Sequence, residues 1–223
     1  MVLSKRFQGF AEVAGAPAQK LGSDELLDVF EDEDAYVAHA LVEDMELAYE
    51  CTHAATCEGM TFRSCEFDHV DFRDSTFRDV RFENCRFINC AMDKGWLNRV
   101  DFVGCSAPGL SLLQARLAGV FACDTDFSYA NFSEVSVDQL RLHSCRLRET
   151  ALQRAKLKRV SFDECDLTRL DVFGTKLAGI DFSTSIFQAP VLSGDYHELR
   201  GIIVAPEQAI ELAGLLGVRV LDE

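Results

Sequence analysis

Between Phe62 and Leu192 every fifth residue is apolar, and the phase never slips. The 27 positions hold 12 Phe, 10 Leu, 2 Val, 1 Met and 2 Ala. In a chain that is 48% hydrophobic, chance filling of this register has odds on the order of 10⁻⁹, so the spacing marks an internal repeat. A period of five belongs neither to an α-helix nor to a flat strand. A chain that turns one large side chain inward every fifth residue must turn a corner in each repeat.

The residue two before each central position is mostly small or aliphatic, and it sorts into columns at steps of 20. One column reads Met60, Val80, Val100, Val120, Leu140, Val160, Ile180, and the next Cys65, Cys85, Cys105, Thr125, Cys145, Cys165, Ser185. Like residues at that spacing imply that residues i and i+20 stack, so four five-residue sides close one square coil. Both registers point into the bore, which is therefore packed. About seven coils result, forming a rod about 32 Å long at about 4.8 Å per coil. Each buried Phe or Leu contributes roughly 1.5–3 kcal/mol. A single coil cannot hide its own faces, so the ends need caps.

Cys65-Glu66-Phe67-Asp68-His69, Val70-Asp71-Phe72-Arg73-Asp74 and Ala130-Asn131-Phe132-Ser133-Glu134 resemble the A/C-[DN]-[LF]-x-x unit of pentapeptide-repeat proteins. The resemblance covers about residues 60–194. It implies an all-β solenoid, a right-handed quadrilateral parallel β-helix, with the handedness taken from the family.

The flanks have other patterns. Ser23 is a plausible N-cap before Asp24 and Glu25, and Leu26/Phe30 and Val37/Leu41 have helical spacing. A second reading starts the β-helix at Met45-Glu46-Leu47, where Leu47, Thr52 and Cys57 keep the five-residue phase. The expected organisation is therefore a flank over 1–44, loose across Met1–Lys20 and then a helical or ordered cap. The rod follows over 45–194 and a tail over 195–223. In the tail, Pro206 opens a helix that Gly217 ends, and Val218-Arg219-Val220 reads as a short strand. Ile210, Ala213 and Leu216, with Leu212, make an apolar stripe wider than capping alone requires. These three residues are the candidates for self-association into a twofold homodimer. The tail also resembles the dimerising tail of the gyrase-protecting, quinolone-resistance branch.

The net charge of −15 sits mostly in the flanks, at −9 over 1–50, −2 over 51–194 and −4 over 195–223. Within the rod, Asp101, Asp124, Asp126, Glu134 and Asp138 form an acidic block and are the candidate partner surface. A basic block follows over 141–159. At a 20-residue offset Asp126 meets Arg146, Arg146 meets Asp166, Glu134 meets Arg154 and Asp138 meets Lys158, so the two blocks read first as halves of intercoil salt-bridge ladders. With a net acidic chain, direct nucleic-acid binding is not expected.

Nine cysteines, five in one interior column, read as small wall residues kept reduced, which points to the cytoplasm. Cys51-x-His53-x₃-Cys57 lacks a second ligand pair and is a weak metal signal. Nothing resembles a signal peptide and no stretch is suited to span a membrane. No phosphate loop, nucleophile elbow or HExxH is present, and His39, His53, His69, His143 and His197 show no catalytic spacing. No enzyme, cofactor or metal is expected. The favoured function is a non-catalytic protein-interaction or scaffold module. The alternative, implied by the resemblance, is a DNA-mimicking binder of DNA gyrase or another type II topoisomerase. A near-neutral rod fits that poorly, since a duplex carries one charge per about 1.7 Å. A catalytic β-helix is the weakest reading.

Overall fold

The computed structural model describes residues 9–12, 19–32, 35–52 and 54–221. The chain winds into a parallel β-solenoid whose strands pair at an offset of 20. Thr76, Trp96, Arg116, Ser136 and Lys156 lie in one row, and Val80, Val100, Val120, Leu140 and Val160 in another. Four faces close each coil. The long strands Thr76–Glu83, Trp96–Val103, Arg116–Cys123, Ser136–His143 and Lys156–Asp163 bend through a corner and cover faces 1 and 2. Face 3 carries Glu46–Ala48, Glu66–Asp68 and Arg86–Ile88, then single bridges from Arg86 through Ser106 to Ile186. Face 4 is a run of bridges from Cys51 through Asp71 and Ala91 to Val191.

The corner required by the five-residue period is a left-handed residue. His69, Asp74, Asp79, Asn84, Asn89 and Lys94 all have φ between 51° and 59°, and this series continues along the rod. Asp and Asn tolerate that conformation best and hold several corners, while long side chains such as Arg99, Arg154 and Arg169 hold others. Where an Asp or Asn precedes the central residue, it can have a local role as well. Asp126, Asn131, Asp166 and Asp171 each accept the backbone N–H two residues on, at 3.0–3.1 Å.

Of the 27 central positions, all but Leu157 and Leu192 are buried. Phe62, Phe82 and Phe102 stack at 5.1–5.2 Å, while Phe82 and Phe87, on adjacent faces of one coil, meet edge-on at 5.3 Å. The small polar residues of the second register satisfy backbone groups inside this apolar bore. The Cys85 and Cys90 thiols, and the Thr125 and Thr150 hydroxyls, each donate to the carbonyl 23 residues earlier, at 2.7–3.3 Å.

Both ends are covered by helices. Helix α1, Ser23–Phe30, buries Leu26 and Phe30 against the first coil. Its N-cap is Gly22, with Ser23 as the first helical residue, and Glu25 Oε2 accepts the Gly22 N–H at 3.1 Å. Coil pairing starts earlier than residue 45. Tyr36–Ala38 pairs with Thr56–Glu58, and Leu41–Glu43 with Thr61–Arg63. Residues 1–8 and 13–18 of the stretch expected to be loose lie outside the described residues. Residues 9–12 pack on the rod, and Gln19–Lys20 pairs with Ala40–Leu41.

Helix α2, Pro206–Leu215, caps the other end through Gln208. Its Oε1 accepts the Ala205 N–H at 2.7 Å, and its Nε2 donates to the carbonyls of Phe182 at 3.0 Å and Ser185 at 2.7 Å. Leu212 is its buried residue, and Gly217, with φ 78°, ends it. Residues 218–221 form no strand, contrary to expectation.

Candidate interaction surfaces

Salt-bridge ladders cover much of the rod exterior. Arg63 lies between Glu43 at 2.7 Å and Glu83 at 2.8 Å, Arg86 meets Glu66 at 2.7 Å, and Arg99 forks onto Asp79. Of the four expected ladder contacts, Asp126–Arg146 forms at 2.9 Å and Asp138–Lys158 at 3.8 Å, while Asp166 pairs with Arg148 at 3.7 Å. Asp138 is closer still to Arg159, at 2.6 Å. Glu134 instead accepts from Gln114 at 2.9 Å, and Arg154 lies 5.6 Å over the Phe173 ring.

The five acids of the candidate partner surface do not meet. Asp101 lies on face 2, Asp124 at the next corner, Asp126 on face 3, Glu134 at the corner entering face 1 and Asp138 on face 1. Residues close in sequence wrap around the coil, so a block of about 40 residues becomes a belt and not a patch. Asp101 is moreover fully buried. Its carboxylate takes Arg81 Nη2 at 3.0 Å and the N–H groups of Phe10 at 2.7 Å and Ala11 at 3.2 Å. Glu12 N–H bonds Asp79 at 3.0 Å, and the Phe10 ring sits 4.0 Å from the Arg141 guanidinium. A Cβ on Gly9 would overlap the Asp101 carboxylate, so only glycine allows this approach. Beneath the segment, the outward positions Gly119, Phe121 and Cys123 are buried. The sequence signal was available: Ala118-Gly119-Val120-Phe121-Ala122-Cys123 is apolar on both faces, where neighbouring coils carry charge outside.

A second departure lies near the other end. Lys156–Asp163 pairs with Ser136–His143 on one side; on the other it forms no backbone ladder with the next coil, although Phe182 stacks on Phe162 at 5.5 Å and the Thr184 hydroxyl donates to the Phe162 carbonyl at 3.4 Å. The following coil pairs onward instead, Gly179 N–H with Gly201 O at 2.7 Å and Phe182 N–H with Ile203 O at 2.8 Å. Two grooves open beside the unpaired edge. One of about 650 Å³ on face 1 is lined by Arg154, Lys156, Lys158 and Lys176. One of about 430 Å³ on face 2 is lined by Phe121, Arg141, His143, Asp163 and Asp181.

Ionisable groups that could support chemistry are mostly engaged structurally. Burial pushes the Cys57 thiol up to about 12 and the Cys90 thiol to about 11, which leaves them protonated and inert. Cys51 is exposed on face 4 and Cys57 points into the bore from face 1, while His53 lies outside the described residues, so the two thiols face apart. Sequence spacing missed one cluster, Ser193, Asp195, His197 and Glu198. Glu198 is fully buried and accepts the N–H of Gly174 at 2.8 Å and of Ser193 at 3.3 Å, and the Ser193 hydroxyl at 2.8 Å. It ties the last corner of the rod to the tail.

On α2, Ile210 and Leu216 are exposed, at 53% and 59%, and Ala213 is half-buried; Leu215, Val218, Val220 and Leu221 extend the exposed apolar area. Among the described residues no helix is long and apolar enough to cross a membrane.

Comparison with known proteins follows from this geometry. A family profile of nine pentapeptide repeats matches residues 53–86, and one of eight repeats matches residues 145–183. No curated protein matches the chain. Among solved structures, a trypsin-treated form of QnrB1, a plasmid-mediated fluoroquinolone resistance protein, is similar at 19% identity and a TM-score of 0.53. The match covers 93% of this chain and 100% of that one. HetL, a pentapeptide repeat protein involved in heterocyst differentiation regulation in the cyanobacterium Nostoc sp. strain PCC 7120, is similar at 15% identity and a TM-score of 0.50. That match covers 83% of this chain and 91% of the other. Repeat signature and coil geometry agree, and the chain belongs to the pentapeptide-repeat protein family.

Proposed function

We propose that this rod is a non-catalytic protein-interaction or scaffold module of the cytoplasm, working as a homodimer joined through α2. The observation that carries the reading is the shape itself. From Phe62 to Leu192 five-residue sides follow one another without a long loop to wall a catalytic cleft, while charged ladders and two open grooves face outward. The nine free cysteines, eight of them buried, support a reducing compartment. Exposed Ile210 and Leu216 support association through the capping helix. Affinity capture with the full chain, followed by reconstitution from purified components, tests the module reading. Absence of any partner that rebinds in pure form would sink it.

A second reading is a DNA-mimicking topoisomerase binder. The likeness to a fluoroquinolone resistance protein over 93% of the chain favours it. The ladders oppose it, because alternating acids and bases break up a sustained negative stripe. Purified gyrase decides: binding that DNA displaces, and that weakens steeply with salt, supports mimicry, and no binding at low salt removes it.

A further inference from the structure

Residues 9–12 sit on the rod as a ligand sits on a receptor. None of them belongs to the apolar core. They cross face 2 along the rod axis, from Asp79 past Asp101 and Gly119 to Arg141, on successive windings. The site that receives them is built for main chain. Asp101 is fully buried at an outward position, its Oδ1 accepts the consecutive N–H groups of Phe10 and Ala11, and Arg81 holds its Oδ2. Any chain offers such N–H groups, so selection comes from the two residues at the start of the segment. A Cβ on Gly9 would lie 1.9 Å from Asp101 Oδ2, which admits glycine alone. The Arg141 guanidinium lies 4.0 Å from the Phe10 ring and 5.6 Å from that of Phe121, which favours an aromatic at the second position.

Vacating the site would take two donors from a buried carboxylate, so it exchanges one occupant for another and does not stand open. The arm has the advantage of its tether, which gives it an effective concentration on the order of mM. A partner prevails by making bonds that the arm does not. Arg81 keeps a buried Nε with no acceptor among the described residues, so the arm leaves the hydrogen bonding of the site incomplete. A segment that brings a carbonyl to that donor gains a bond.

We propose that the face-2 site centred on Asp101 recognises an extended Gly-aromatic segment of a partner protein, and that residues 9–12 occupy it in cis until such a partner displaces them. In the bound segment the glycine lies against the Asp101 carboxylate, the next two N–H groups donate to it, and the aromatic ring stacks on Arg141. The proposal rests on the interaction-module reading and names both the partner's chemistry and the gate in front of it.

The test uses the full chain and a fluorescein-labelled, end-capped peptide Gln-Gly-Phe-Ala-Glu-Val, read by fluorescence anisotropy. Gly9→Val releases the arm, and saturable binding to this full-length variant is expected. The wild type, with its arm in place, should bind about tenfold more weakly or worse. Phe10→Asp releases the arm by a second route and should bind as Gly9→Val does. Peptides carrying Val for Gly, or Ala for Phe, should bind the Gly9→Val protein about tenfold more weakly or worse. No binding to either released variant would overturn the proposal. Equal binding to the wild type would also overturn it, as would indifference to the Gly and Phe of the peptide. A wild-type dimer that Gly9→Val dissociates and Leu216→Asp does not would assign the site to the arm of a second copy, and would overturn it as well. Failure of the peptide leaves the capture and reconstitution experiment intact, so the two readings fail separately.

Discussion

The rings of Phe82 and Phe102 lie twenty residues apart in sequence and stack at 5.1 Å, 18° from parallel. Phe62 stacks on the other side of Phe82 at 5.2 Å. Phe82 is thus held from above and below and edge-on by Phe77 and Phe87. Phe82→Ala should cost roughly 3–5 kcal/mol, because a cavity opens where stacked neighbours cannot collapse. Urea unfolding monitored by far-UV circular dichroism reads this directly. A loss below about 1 kcal/mol would mean that the ring is not sandwiched.

The ladders should matter far less. Arg63→Ala removes a cation from between Glu43 and Glu83 at a solvent-exposed position. The expected loss is about 1 kcal/mol or less, vanishing near 1 M salt as screening shortens. A larger, salt-independent loss would show that Arg63 packs and does not merely pair.

Acid should destabilise the rod. Burial would raise the Asp79 pKa, but the Arg99 guanidinium and the Glu12 N–H outweigh it and hold the carboxyl below its ordinary value. At Asp126 burial is outweighed in the same way by the Ser128 hydroxyl and N–H and by Arg146. A carboxyl depressed in the folded state contributes stability above its unfolded pKa, about 3.9 for Asp. That contribution is lost as pH falls through the folded value. The Tm should therefore hold from pH 7 to about 5 and fall below about 4, and a flat profile down to pH 3 contradicts these assignments.

Gly9 is predicted to be irreplaceable at its site. Gly9→Val places a branched side chain where the Asp101 carboxylate lies. Residues 9–12 should then detach, leaving Asp101 without the Phe10 and Ala11 amides. Hydrogen exchange at Phe10 and Ala11 should rise to the rate of free chain, with the rod amides unchanged. Persistent protection of Phe10 would refute the contact.

If the proposed dimer forms through the tail, Leu216→Asp should give monomer on light scattering without shifting the Tm by more than a few degrees, since Leu216 is 59% exposed and Leu212 holds the cap. An unchanged mass refutes the tail's part in association.

The side-chain register was legible because one interior admits one phase. Phe, Leu and the Cys65 column at steps of 20 left little freedom in which residues point inward. Backbone pairing was not legible in the same way. Leu177 and Phe182 keep the phase across the interruption after Asp163, so the sequence pattern stays intact where the strand ladder stops. Beyond the interruption Gly179 and Phe182 pair with Gly201 and Ile203, contacts with a tail outside the repeat. The acidic block does not gather into one patch, for a geometric reason. On a coil of 20 residues, Asp124 and Asp138 end up on different faces, and neighbours on one face are 20 apart. The burial of Asp101 depends on Gly9 and Phe10, some 90 residues away, and a five-residue period says nothing of such a contact.

The most direct measurement of the coil geometry is a methyl NOE spectrum of the protein with labelled valine and leucine methyls. Contacts linking Val80 to Val100, Val100 to Val120 and Val120 to Leu140 are expected, since these residues pair across adjacent strands about 4.8 Å apart. Their absence would contradict the twenty-residue coil, and with it every surface assigned to this rod.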